Sequence, residues 1–476
     1  MFKRGGIFLK LLKMKRYLKG KYKGTSSDMW RSIMRITWPA FIELVMSTLF
    51  GMIDMIMVGQ LGPAAIASVG LTNQPFMLFI AIFAAVNVGT TTLVAWNIGA
   101  NNVKNARAIV RQTLVVNIIL GLITTILGII SAKYIVSFMG AREDTIVDAT
   151  NYFRIIAGGL IFQGMTMGIT ASLRGAGETK IPMYYNVGSN LLNVFGNYVL
   201  IYGKFGFPEW GVAGAAASTT IARLIALLAG LYVLYRSKNT KMHLKLKDKY
   251  KIDISIIKKI FSIGLPAALE QFVIQGGLIL FAKTVAGLGT TAYAAHQIGL
   301  NISGLTFAPS MAFGVAATTL VGQSLGAGNE ERAHKYAEVV HHMAIFVACF
   351  MGIVFILFSH SMAKIYTSDL VVAAMAGTVL KIMALSQPGQ STQLSLAGAL
   401  RGAGDTIFPL YASFVGIWIF RVVVAYIFVN IFNWGLNGAW MALLLDQYTR
   451  SAIVYLRFKS GKWKYVREKT KEVHVN

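Results

Sequence analysis

Apolar residues in this chain do not alternate with polar ones. They run in continuous stretches of about 20 to 30 residues, the length a helix needs to cross the hydrocarbon core of a bilayer. Short polar connections separate the stretches, and roughly twelve can be counted along the sequence. A barrel would show polar and apolar positions at period two, and its strands would be shorter. The pattern therefore predicts an all-α polytopic membrane protein of twelve transmembrane helices.

The polar punctuation repeats. Pro39 and Pro266, Glu43 and Glu270, and Gly62 and Gly289 are each separated by 227 residues. TTLVAWNIGA (91–100) aligns with TTLVGQSLGA (318–327) at the same offset, as does LRGAGET (173–179) with LRGAGDT (400–406). The register then slips to 224, where WGVAGAA (210–216) faces WGLNGAW (434–440). Chance does not hold one offset through separate blocks, so the chain is a duplicated six-helix unit. This gives a basic N-terminal segment 1–32, a first lobe 33–235 and a linker 236–260. A second lobe 261–457 and a tail 458–476 follow. Six helices per copy place the copies in parallel, related by an axis along the membrane normal, which is a build of secondary transporters.

Composition sharpens this picture. Of 476 residues 55% are hydrophobic and only 13% charged, and the net charge is +26. The excess is gathered in Lys3–Lys23, Arg236–Lys259 and Arg457–Lys471, all outside the apolar stretches. Such blocks follow the positive-inside rule, aided by anionic membrane lipid, and call for no nucleic acid. They place both termini in the cytoplasm and the protein in the plasma membrane, the inner membrane of a prokaryote. Cys349 alone cannot form an intrachain disulfide, and no GxxxxGK[ST] loop points to ATP as the energy source. No enzyme activity, cofactor or partner subunit is expected, and the chain reads as a monomer.

Ionisable groups in hydrocarbon cost about 2.5–3.5 kcal/mol each on insertion scales, so each needs a reason. Glu43 and Asp54 share one face of the first apolar segment, with Asp54 about 24 Å from the cytoplasmic end. Asn193 and Asn197 form an i,i+4 pair in the fifth, Asn197 at about the same depth. Thr219, about 12 Å down the sixth, comes near that level. One carboxylate with two amides and a hydroxyl can hold a proton or Na⁺; the plainer reading is an interhelical hydrogen-bond cluster. Glu43 and Glu270 each follow a proline by four residues, and two uses are open: attracting cationic substrates, or binding backbone groups freed by the kink. Gln163 and Gln390 correspond across the repeat and are candidate cavity residues. Arg421 in the eleventh segment and Asp446 in the twelfth lie at comparable depths and suggest a structural salt bridge.

The run DMIMVGQLG (54–62), the two LRGAG turns, NVFGNYVLIYG (193–203) and WGVAGAAAST (210–219) resemble the multidrug and toxic compound extrusion (MATE) family. The resemblance covers residues 30–457. It implies two six-helix lobes forming a V and export of organic, cationic or amphipathic compounds in exchange for H⁺ or Na⁺. The family's helix-one aspartate falls on Asp54 and its helix-five pair on Asn193 and Asn197, which is closer to the DinF-type branch than to the NorM-type. Asn197 stands where that branch often has a second acid. Ile274 and Gln390 stand where the NorM-type branch has acids, so coupling is expected in the first lobe. A related reading, a lipid-linked oligosaccharide flippase, calls for an arginine-lined cavity, whereas the candidates here are acidic and amide. A membrane-embedded enzyme would need paired acids for Mg²⁺, and Asp144 with Asp148 falls in a predicted outer loop.

Overall fold

The computed structural model describes residues 26–238, 240–245, 251–367 and 369–467. The basic block Lys3–Lys23 lies outside the described residues. The first six spans are α1 (Ser26–Gly59), α2 (Pro63–Gly99), α3 (Val103–Phe138), the pair α4 (Ile146–Gly158) and α5 (Leu160–Gly175), α6 (Lys180–Tyr202) and α7 (Gly211–Arg236). The second six are α8 (Ile254–Ala286), α9 (Thr290–Gly326), α10 (Glu330–Tyr366), α11 (Leu370–Gly402), α12 (Ile407–Phe414, running on as wide π-helical turns to Ile431) and α13 (Gly435–Lys459). The fourth span is bent by 43° between α4 and α5. Among the described residues ten spans, counting the bent pair once, are long and apolar enough to cross a membrane. The two that fall short are α6 and α13. They carry Asn186, Asn190, Asn193 and Asn197 in one case, and Asp446, Gln447 and Arg450 in the other.

The duplication shows in packing as well as in order. Met29, Ile33 and Ile36 at the start of α1 sit in a core with Phe313, Leu320, Leu400 and Trp463 of the second half. At the 227-residue offset, Ile260 and Ile263 of α8 sit in a core with Leu93, Ile109, Leu173 and Leu234 of the first half. Each half thus lends the opening turns of its leading helix to the other. This explains why the described part of α1 already includes the turns before residue 33. Its first turns are amphipathic, with Asp28, Arg31 and Arg35 outside and these apolar residues inside.

The same end of the bundle carries a pseudo-symmetric seam. Thr92 Oγ1 donates to Arg401 O (2.8 Å) and Trp96 Nε1 to Gly402 O (2.8 Å). Their repeats do the reverse: Thr319 Oγ1 donates to Arg174 O (2.9 Å) and Gln323 Nε2 to Gly175 O (3.0 Å). Gly99 and Gly326, also mates, let α2 and α9 cross so closely that a Cβ on either would strike the other helix's backbone. Gly177 and Gly404 then turn the chain at φ 83° and 86°, which favours glycine.

Two connections differ from expectation. The lysine-rich composition of the linker 236–260 suits a flexible cytoplasmic connection along the membrane surface, yet Met242 and Leu244 are fully buried in the first half's core. Glu178 fixes it further, accepting from Thr240 Oγ1 and from Lys241 N (2.8 Å). Two apolar residues among the lysines are enough to anchor it. The tail is likewise tied down where it begins, since Trp463 is fully buried and donates to Phe458 O (2.9 Å). Asp148 is in the first turn of α4 and not in a loop.

Candidate functional site

A cavity of about 850 Å³ lies between the halves, with most of its wall from α1, α2, the α4–α5 span, α6 and α7. Asp54 lines it from α1. The helical spacing of Asn193 and Asn197 turns both amides toward that carboxylate, and Asn197 Nδ2 donates to Asp54 Oδ1. The orientation of the Asn193 amide that satisfies its neighbours points Nδ2 at Asp54 Oδ1 and Oδ2 (2.9 and 3.0 Å). Its oxygen then accepts from Thr219 Oγ1 and Ser218 Oγ, each at 3.2 Å. The four residues Asp54, Asn193, Asn197 and Thr219 are therefore brought together. Asn197 is 1% exposed and its Oδ1 is buried without a hydrogen-bond partner. Asp54 has no cation within ion-pair distance among the described residues.

Glu43 and Glu270 take up a third use. Glu43 pairs with Arg174 (2.9 Å) and accepts from Asn186 Nδ2 (2.6 Å). Glu270, 1% exposed, pairs with Arg401 (2.6 Å) and accepts from Ser413 Oγ (2.9 Å). The partners correspond at 227, Arg174 with Arg401 and Asn186 with Ser413, so each half has one glutamate–arginine clamp joining its first, fourth and fifth spans. The arginines belong to the LRGAG turns, whose carbonyls form the seam. Glu43 and Gln163 line the cavity; Glu270 and Gln390 are buried outside its lining.

In the second half Phe281 stands at the offset position of Asp54, under the Arg421 guanidinium at 5.9 Å. Arg421 lies 2.5 Å from Asp446, which also holds Arg450 at 2.8 and 3.0 Å. The wide turns of α12 carry Arg421 to that acid, and Gly416 leaves room for it. Sequence reasoning missed Arg223, one turn beyond Thr219 on α7, which lines the cavity over Phe76 (4.6 Å). The i,i+4 spacing from Thr219 was the available signal. With Arg174 and Arg401 also lining it, the cavity is not simply acidic and amide.

Two duplicated six-helix lobes around a polar cavity are the architecture of a membrane transporter rather than an enzyme. The MatE family model matches residues 39–199 and again 266–427, once per half. The chain is 34% identical over 447 residues to "Probable multidrug resistance protein NorM" of Thermotoga maritima, covering 93% of this chain and 96% of that one. It is 26% identical to multidrug resistance protein PmpM of Pseudomonas aeruginosa, covering 92% and 93%. The fold is shared with a MATE protein solved in the bent conformation (TM-score 0.85, 24% identity, 93% and 97% covered). It is also shared with an outward-facing multidrug resistance MATE family transporter (TM-score 0.85, 24% identity, 90% and 96% covered). The chain belongs to the MATE family of multidrug efflux transporters.

Proposed function

We propose that the protein is a secondary antiporter that exports organic, cationic or amphipathic compounds in exchange for H⁺ or Na⁺, with Asp54 as the coupling acid. The observation that carries this is the ring around Asp54. A carboxylate without a counter-ion is met by two amides, one of them backed by the Thr219 and Ser218 hydroxyls, and Asn197 Oδ1 is buried with nothing to accept from. Turning the Asn197 amide over would aim Oδ1 at Asp54, an arrangement that repels unless a proton or cation lies between them. Phe281 at the matching position leaves the second half without such a site. The acid on α1 and the asparagine pair on α6 support the DinF-type reading, while the Thermotoga maritima relative carries the NorM name.

The seam lies at the end where the basic connections emerge, which the positive-inside rule makes cytoplasmic. Access then alternates by rocking of the lobes, and the ion and the substrate oppose one another in the same cavity. The test is flux in proteoliposomes with an imposed H⁺ or Na⁺ gradient and a set of cationic dyes. Asp54→Asn keeps the bulk and removes the charge, and should abolish gradient-driven export with unchanged thermal stability. Normal pumping by this variant would reduce Asp54 to a packing residue.

A further inference from the structure

Among the described residues, one cation lining the cavity has no acidic partner. Arg174 and Arg401 are each paired with a glutamate. Arg223 is not: among the described residues it forms no ion pair, and its Nη1 is buried with no hydrogen-bond acceptor. The ring of Phe76 supports its guanidinium at 4.6 Å but satisfies none of its N–H groups. Asp54 lines the same cavity but is already held by the two α6 amides. An arginine at this depth is expensive to leave unpaired. Its planar fork of donors matches a carboxylate, which can accept two parallel bonds.

We propose that Arg223 is the residue that pairs with an organic carboxylate in this cavity, and so sets how strongly the cavity prefers a free acid over its ester. The carboxylate pairs with Arg223 on α7, any cationic group of the same compound lies toward Asp54 on α1, and the apolar body packs on Phe76, Met77 and Ile80 of α2. This rests on the efflux reading above for its transport, but not for its binding.

The test uses a xanthene dye bearing a free benzoate and the methyl ester of the same dye, with the full-length protein in nanodiscs. Fluorescence anisotropy should show the parent favouring the acid, and Arg223→Gln losing that preference by about tenfold or more. Arg223→Lys, which keeps the charge without the fork, should retain part of it. Ester binding should change little in either variant, which also shows that the cavity has folded. Equal binding of acid and ester by the parent would overturn the proposal. So would an equal loss of both dyes in Arg223→Gln, which would make Arg223 a distant counter-charge to Asp54. If the parent binds the acid selectively but exports neither dye along any gradient, the efflux reading fails and the carboxylate subsite stands.

Discussion

At the scale of single residues, partners decide what a buried charge does. Glu43 lines the cavity, yet Arg174 and Asn186 already occupy its carboxylate. Glu43→Gln should therefore act through stability, leaving the half-buried Arg174 without its counter-charge at a cost of about 1–3 kcal/mol, below that of a fully buried pair. Adding Arg174→Gln should recover much of that loss, which a double-mutant cycle on thermal unfolding in detergent measures. Export of cationic and neutral compounds should fall by the same factor. A selective loss of cations would show that Glu43 meets substrate directly. Asp54, Asn193, Asn197 and Thr219 were legible in the sequence because depth along a helix follows from residue count alone. The clamps were not. Arg174 and Arg401 sit beside glycine turns, where a cation reads as a positive-inside marker, and only the fold carries Glu43 and Glu270 to them.

At the scale of elements, the seam depends on backbones that touch. Gly326→Val would press a branched side chain against the Trp96 backbone, a clash that no rotamer relieves. The α2–α9 crossing should then open, and a cysteine replacing Thr92 should react faster with an impermeant thiol reagent on that side. This is measured in protein lacking Cys349. An unchanged rate would mean that α2 and α9 are not what closes this end. The twelve spans and the 227-residue duplication were plain from apolar runs and repeated motifs. The exchange of opening turns between halves was not, since Met29, Ile33 and Ile36 show an amphipathic face without saying which core it enters. Nor could the lysine-rich linker announce that Met242 and Leu244 would anchor it.

At the scale of the whole molecule, two near-copies have diverged in a way that assigns roles. The first half has Asp54 and most of the cavity wall, while the second has Phe281 and the Arg421–Asp446–Arg450 cluster. Ion binding should therefore bias a rocking motion from one side only. Occupying Asp54 with a proton or Na⁺ alters its hold on α6 and should shift α1 against it. The lobes are joined at the seam, so the displacement should be greatest at the far end, where Gly62 and Gly289 start α2 and α9. The direct measurement is the distance between spin labels on cysteines replacing Ala64 and Thr291, both exposed, in protein lacking Cys349. That distance should change with pH or Na⁺ in the parent and stay fixed in Asp54→Asn. An equal response in both proteins would contradict the account and place the trigger outside the first lobe's carboxylate.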